Sequence, residues 1–328
     1  MGLSVLIITV GTFNLNNLFS RYNFKGEITA IKNLETTLDS EVVYEFTPAD
    51  TWKIRTYRGG LVKGKKPIDI ERIATRIKQI DLDVLAIQEV EDIDTIHQFN
   101  REYLNWMYPY IVLIEGNDPR LIDIGILSKL PLDGITSWQN KVHPKDPTKT
   151  VFGRDLLQVD ILNSSRTKKL FTIFNNHLKS HYVDYTEDPI EGEAANNKRR
   201  THQAEMITEI VKDQTRPNSK FIVLGDMNDP PDSPCLQSFT TDQELQLINA
   251  LSNPKETRPP KTDTPPPQTT SWTHRYKKPN QPAEYELYDQ IWLSPKLSEK
   301  LIESWIDRRK RHSGDGSDHD PAWVTLDL

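Results

Sequence analysis

Short apolar runs of β character recur along the whole of this chain, and five of its polar clusters sit at the ends of such runs. The runs cover residues 5–14, 83–88, 110–115, 123–128, 156–162, 170–176, 220–224, 288–293 and 322–328. Several alternate. Leu157, Val159 and Ile161 face one way while Gln158 and Asp160 face the other, the period of a half-buried strand. Helical patterns lie between the runs. Ile70, Ile73, Ile77 and Ile80 form one apolar stripe, and Ala204, Ile207, Ile210 and Val211 form another. Strands mixed with helices, at both long and hairpin-like spacings, predict an α/β protein of layered sheets with helices outside.

Composition narrows the class. With 328 residues and 36% hydrophobic content, the chain can build a substantial core, which argues against disorder. A net charge of −6 argues against a protein that coats nucleic acid nonspecifically, but leaves room for a local basic track. The single Cys235 excludes an internal disulfide framework and a cysteine-based zinc site, and reads as structural. The first basic residue is Arg21, so no positive region precedes the short apolar run at 5–10, and Leu6 breaks the myristoylation pattern after Gly2. No stretch reaches membrane-spanning length. A cytoplasmic monomer is the expectation.

Two segments read as long functional loops. Residues 253–282 are dense in Pro, Thr and Lys, and residues 179–199 are polar and acidic. About two strands follow the Pro-rich loop, too few for a domain of their own, so residues 1–328 read as one domain.

The five clusters carry the chemistry. Asn14 and Asn16 close the first run and, two apart in an extended chain, face one side; the residues alone fit a turn better than a ligand site. Glu89 ends a strand buried on both faces, where a carboxylate must be solvated, paired or bound to a cation. A lone carboxylate plus waters suits magnesium, while a cap for the helix beginning near Asp92 fits equally well. In Asn175-Asn176-His177-Leu178-Lys179, the His keeps the parity of Phe171 and Ile173 but sits where the strand should stop, which favours a ligand-facing site. The fourth cluster, Gly225-Asp226-Met227-Asn228-Asp229-Pro230, projects a carboxylate and an amide to one side after a Gly that permits close backbone approach. The fifth places Asp289 inside an apolar strand, where it needs a partner. The nearest candidate is His319 of Gly316-Ser317-Asp318-His319-Asp320-Pro321, a His flanked by acids at a strand mouth. Asp289 would orient the imidazole as the third member orients the base in a catalytic triad. An Arg partner for Asp289 stays open. No serine elbow, phosphate-cradling Gly loop or His-Glu-x-x-His is present. Carboxylates, amides and two His residues with one hard cation fit water attack on phosphorus, with the His activating the water.

The order of these clusters resembles the endonuclease/exonuclease/phosphatase superfamily. The matching residues are Phe13-Asn14, Gln88-Glu89, Asn176-His177, Gly225 to Asn228, Tyr288-Asp289 and Ser317 to His319. The resemblance implies a four-layer α/β/β/α sandwich, two mixed sheets face to face with helices outside. It implies Mg2+ or Mn2+ and in-line hydrolysis of a phosphate ester. Glu89 is then the metal carboxylate with Asn14 beside it, and Asp318 a second metal or support ligand. His319 pairs with Asp289, and Asp226 and Asn228 orient nucleophile and phosphate. His177 resembles the second catalytic His of deoxyribonucleases and sphingomyelinases. The local match around 175–180, 197–200 and 203–204 is similar to bacterial nuclease-like members. Asn16 departs from the acidic residue of abasic endonucleases.

The expected activity is metal-dependent phosphodiester hydrolysis on a substrate such as nucleic acid. Asn16, Asn176, Lys179, Arg199 and Arg200 are the expected substrate contacts. Arg275, Lys277 and Lys278 add flanking charge, and Trp272 or Tyr276 could stack on a base. The alternative keeps the chemistry and changes the substrate to a phosphomonoester or a lipid head-group diester. A noncatalytic binding module is a third reading, against which the five intact clusters weigh.

Overall fold

The apolar runs become strands and the stripes become helices. The computed structural model describes residues 6–19, 64–258, 271–277, 280–308 and 315–328. The first half contains β1 (Ile7–Leu18), α1 (Pro67–Ile80), β2 (Val84–Val90), α2 (Ile93–Glu102), β3 (Tyr110–Leu113), β4 (Asp123–Ser128) and β5 (Leu132–Ser137). A hairpin of β6 (Val142–His143) and β7 (Asp146–Thr150) follows, then β8 (Leu156–Leu162) and β9 (Lys169–His177). The second half contains α3 (Pro189–Gln214), β10 (Phe221–Asp226), α4 (Gln237–Thr241), β11 (Ile248–Asn249) and β12 (Lys255–Glu256). A second hairpin pairs β13 (His274–Tyr276) with β14 (Glu284–Glu286). Last come β15 (Asp289–Leu293), α5 (Pro295–Ser298), β16 (Leu301–Ile306) and β17 (Ala322–Asp327).

Two mixed sheets result. One has the order β12-β16-β17-β1-β2-β4-β3, the other β11-β15-β10-β9-β8-β5. At the centre of each lies a parallel pair, β1 with β2 and β9 with β10. Val10, Val84, Ala86, Ile124 and Ile126 of the first sheet meet Val159, Ile173, Ile222, Leu224 and Ile291 of the second in one buried cluster. Burying each of the Val, Leu and Ile side chains stabilises by about 1.5–3 kcal/mol. The alternate residues Phe13, Leu85 and Ile87 face outward against Ile73 and Ile77 of α1 and Ile96 and Phe99 of α2. On the far side Phe174, Val223 and Trp292 pack against Ala204, Ile207, Ile210 and Val211 of α3. The layering is helix, sheet, sheet, helix, as expected. Among the described residues no helix is long and apolar enough to cross a membrane.

One expectation needs correction. Residues 179–199 are not a loop throughout, because α3 begins at Pro189. The Asp188 carboxylate accepts from the N–H groups of Ile190 and Glu191, and Pro189 supplies a preset first turn. The acidic, polar first turns are helix surface. Of the Pro-rich stretch, residues 259–270 and 278–279, including Lys278, lie outside the described residues, as do Arg309, Lys310 and Arg311.

Strand polarity gathers the clusters. β1, β2, β9 and β10 finish at one end of the sandwich, and β15 and β17 start there. Register sets His177 beside Asp226 and Asp226 beside Asp289. Gly225 has φ 131°, and a Cβ there would stand 1.9 Å from the Asn176 carbonyl oxygen, so β9 and β10 touch only because the residue is Gly.

Candidate active site

The second sheet, together with His319 just before β17 of the first, supplies a row of ionisable groups. Asp226 is buried, and its Oδ1 accepts from the Asn228 N–H at 2.9 Å. Its Oδ2 accepts from Asn14 Nδ2 at 2.8 Å and lies 3.4 Å from His177 Nε2 and 3.9 Å from His319 Nε2. Burial pushes Asp226 up to about 6, against the pull of His319. His319 Nδ1 and Asp289 Oδ2 are 2.6 Å apart. Burial works against the imidazolium, but the Asp289 and Asp226 carboxylates hold His319 well above its ordinary 6.5. His177 goes the other way. Burial, then Arg154, His319 and Arg120, lower it well below 6.5, so its ring is neutral. Two backbone contacts fix the dyad: Asp289 N–H donates to Thr273 Oγ1 at 2.9 Å, and His319 N–H to Ser317 Oγ at 3.0 Å.

The first sheet brings oxygen donors. Asn14 is fully buried, and its Oδ1 accepts from the Asn16 N–H at 2.9 Å. Asn16 has φ 47°, so the strand curls there and Asn16 does not continue the side of Asn14; its Nδ2 donates to Asp318 Oδ1 at 2.7 Å. Glu89 has φ 60° at the register break of β2, which turns its carboxylate toward the strand ends. One oxygen accepts from the Asn17 N–H at 3.0 Å, and the other lies 4.0 Å from His177 Nε2. Lys65 Nζ donates to the Asn16 carbonyl, in the field of Asp69, Asp318 and Glu89. An ammonium in that position marks a spot that draws a cation. Acidic and His groups here could also hold a metal ion: Asp226, Asp289 and His319, and likewise His274, Asp318 and His319, each bring three ligand atoms within 4.8 Å of one another.

The structure thus brings together Asn14, Asn16, Glu89, His177, Asp226, Asn228, Asp289, Asp318 and His319. Others stand apart. Asn176 is fully buried, its side chain on the α3 side of β9 and its Nδ2 donating to the Leu224 carbonyl, because strand parity turns it away from His177. Arg200, expected at the substrate, is wholly buried and braces the fold: Nε donates to Asp229 Oδ2 at 2.8 Å and Nη1 to the Lys179 carbonyl at 2.8 Å. Trp272 is buried beneath the Arg308 guanidinium, 3.7 Å from its ring centre, while Tyr276 is exposed. Lys179 Nζ donates to the Tyr182 carbonyl, and Arg199 lies over Gly153.

Several neighbours were not found by sequence reasoning. Arg154 is buried, donates through Nη1 to the Leu178 carbonyl at 3.2 Å and pairs through Nε with Asp118 at 3.2 Å. Arg120 grips the same Asp118 with Nε at 3.0 Å and Nη2 at 2.8 Å. His274 stacks on Tyr288, centroids 5.0 Å apart, and its ring is 4.8 Å from that of His319. An Arg following Gly153 was the only sequence signal for the first.

Fold and site define a class, and the comparisons agree. The Endonuclease/Exonuclease/phosphatase family profile matches residues 11–319, and the chain belongs to that family, whose members are hydrolases of phosphate esters. No curated protein matches it. Solved structures with the same fold include an AP endonuclease from Archaeoglobus fulgidus, with 14% identity, TM-score 0.58, and 98% of this chain and 100% of that one covered. A mannosyl-6-phosphatase from Bacteroides thetaiotaomicron has 16% identity, TM-score 0.54 and coverage of 98% and 100%. TDP2 from Caenorhabditis elegans has 13% identity, TM-score 0.56 and coverage of 98% and 75%.

Proposed function

We propose that this protein is a divalent-metal-dependent phosphodiesterase with nuclease-like activity, acting by in-line attack of an activated water. The observation that carries this is the 2.6 Å Asp289–His319 pair facing Asp226, with neutral His177 on the other side of the same carboxylate. The oxygen donors of Glu89, Asn14 and Asp318 fit a hard cation, Mg2+ or Mn2+. Such an ion, when bound, would neutralise phosphate charge.

The proton chemistry follows from the environments. Asp226, at about 6, is ionised at neutral pH yet basic enough to take a proton from the attacking water. Asn14 and the Asn228 N–H hold that carboxylate in one orientation. His319 is cationic at neutral pH, so its Nε2 donates to a phosphate oxygen and stabilises charge growing in the transition state. This assigns the base to Asp226 and the donor to His319, whereas the sequence suggested that the His activates the water and that Asp226 with Asn228 orients nucleophile and phosphate. Neutral His177 supplies a second donor from Nε2. The nearby cations Arg120, Arg154, Lys179 and Arg199 favour a substrate with further negative charge.

A substrate panel tests the proposal. Plasmid, single-stranded DNA, RNA, bis-p-nitrophenyl phosphate, sphingomyelin and p-nitrophenyl phosphate would be offered with Mg2+ and with chelator. Metal-dependent cleavage of the nucleic acids and the diester is expected. Turnover of the monoester or sphingomyelin alone would overturn the nuclease assignment.

A further inference from the structure

A cavity of about 200 Å³ opens between α3 and the β6–β7 hairpin, outside the reaction centre. Its walls carry Lys149, Lys198 and Arg199, with the rings of His143 and His202. Asp146 is the sole carboxylate among its described lining residues, and it pairs with Lys149 at 3.3 Å near the surface, where such pairs contribute little. In a chain of net charge −6, this is a local excess of positive charge.

The two rings invite a metal reading, which the geometry rejects. His143, His202 and Glu205 place three ligand atoms within 4.8 Å of one another. The imidazoles, however, are stacked, with centroids 4.0 Å apart and planes at 9°. A ligated metal lies near the plane of each ring, and parallel rings at that spacing share no such point. Both nitrogens of His143 are also engaged: Nδ1 accepts from the Lys145 N–H at 3.2 Å, and Nε2 meets Glu205 at 2.9 Å. The stacked pair is a wall, and the cations beside it are what a ligand would meet.

A chain of residue contacts leads from the cavity toward the catalytic end. Arg199 Nη2 lies 3.3 Å from where a Cβ would sit on Gly153. The next residue, Arg154, donates to the carbonyl of Leu178, which follows His177. Arg154 and Arg120 share Asp118. Cationic groups therefore run from Lys149 and Lys198 through Arg199 and Arg154 to His177. At the catalytic end, Lys179 is brought down to about 8 by burial first, then by Arg154, Arg120, Arg199 and Arg200. Like charges packed this way repel, and an anion relieves the repulsion.

We infer that this cavity is a subsite for a phosphate flanking the scissile one on a nucleic-acid strand, joined to the reaction centre through Arg199 and Arg154. The inference rests on the phosphodiesterase reading above and deepens it. A recessed, polar, cationic cavity suits a phosphate of a flexible strand, which reaches inward, better than the flat face of a bilayer.

The test uses the double variant Lys149→Gln/Lys198→Gln. Both side chains are exposed and neither has a part in the chemistry, so folding and the reaction centre stay intact. Binding of a fluorescein-labelled single-stranded oligonucleotide would be followed by anisotropy in chelator across a salt series, with bis-p-nitrophenyl phosphate hydrolysis in Mg2+ measured in parallel. The variant should bind the oligonucleotide several-fold more weakly, and the slope of log K against log salt should shrink by about 0.7 for each phosphate that the protein no longer neutralises. Hydrolysis of the small diester should match wild type. Unchanged affinity and slope, no binding by the wild type, or equal losses in both assays would overturn the subsite. Weakened binding to phosphatidylserine vesicles with oligonucleotide binding intact would overturn the nucleic-acid assignment. Failure of the wild type to cleave the diester, with the binding difference present, would sink the phosphodiesterase reading and with it the flanking role, leaving the cavity as a nucleic-acid phosphate site alone.

Discussion

Replacing Asp289 with Asn probes the reaction centre at its most sharply defined contact. Asp289 is fully buried and its Oδ2 stands 2.6 Å from His319 Nδ1. An amide keeps the volume and an acceptor oxygen, so the imidazole stays in place while the charge disappears. Unit charges about 4 Å apart interact by about 4 kcal/mol at an effective dielectric of about 20. His319 owes its raised basicity to Asp289 before Asp226, so without that charge its ring holds its proton less firmly. If the whole interaction acts in the transition state, kcat falls by about 10³, at about 1.4 kcal/mol per tenfold. Stability should not follow. Asp289 Oδ1 is buried without a hydrogen-bond partner among the described residues, so discharging it removes a penalty as well as a bond. The melting temperature should stay within about 3 °C, equivalent to roughly 1 kcal/mol. The assay is bis-p-nitrophenyl phosphate hydrolysis in saturating Mg2+, with calorimetry on the same samples. Groups acting as a unit are non-additive, so His319→Ala/Asp289→Asn should be no worse than His319→Ala alone. Additive losses in log rate, or a fall in kcat below tenfold, would refute the reasoning.

Glu89→Gln should weaken Mn2+ binding in calorimetry by at least about 10–100-fold, the loss typical of mere outer-shell partners, while the protein stays folded; full activity in excess chelator would remove the metal from the proposal. His177→Ala should lower kcat by about 10²–10³, as for loss of one transition-state donor, and leave KM for the small diester unchanged; a lowered melting temperature with normal kcat would make it a packing residue. Because Asp226 must be ionised to act as base, log kcat/KM should fall as pH drops below about 6, and a flat profile between pH 5 and 7 would exclude it. Asp123 is buried and pushed up to about 7, so the folded chain holds a proton there that the unfolded chain releases near 3.8. Stability from this group is therefore lost as pH rises from about 4 to about 7, by up to about 4 kcal/mol. The gain in melting temperature of Asp123→Asn over wild type should be larger at pH 8 than at pH 5; a constant difference at both would point to packing.

The central strands were legible because they are buried on both faces, which forces long apolar runs. β5 and β16 were not, since Asp133, Gly134 and Ile135 lie exposed on a sheet edge, and β16 exposes Ile302 and buries only Ser304 and Ile306. The order of the polar clusters marked the candidate site, and strand parity set His177 on the side of Phe171 and Ile173, which faces Asp226 in the structure. Parity failed where the backbone leaves the extended region. At Asn16 and Glu89 a positive φ re-aims the side chain, and nothing in a one-dimensional pattern announces that. Arg154 and Arg120 escaped notice for another reason: they meet through Asp118 and a carbonyl after β9, contacts that link segments without any periodicity. Arg200 misled because a charged residue in a polar stretch reads as exposed, whereas Asp229 lets it be buried.

The bonds that complete the reaction centre tie distant parts of the chain. Asn14 reaches Asp226 across 212 positions, Asn16 reaches Asp318 across 302, and Ser317 Oγ returns to the Asn14 carbonyl across 303. Contacts of such separation form late in folding, after the loops between them have been closed. Neither sheet owns a working centre: one holds Asn14 and Glu89, the other His177, Asp226 and Asp289. Catalysis is therefore a reporter of the finished sandwich. On refolding, helix and strand signals should return before turnover does, and mixing separately made halves should restore turnover only to the extent that the two sheets dock.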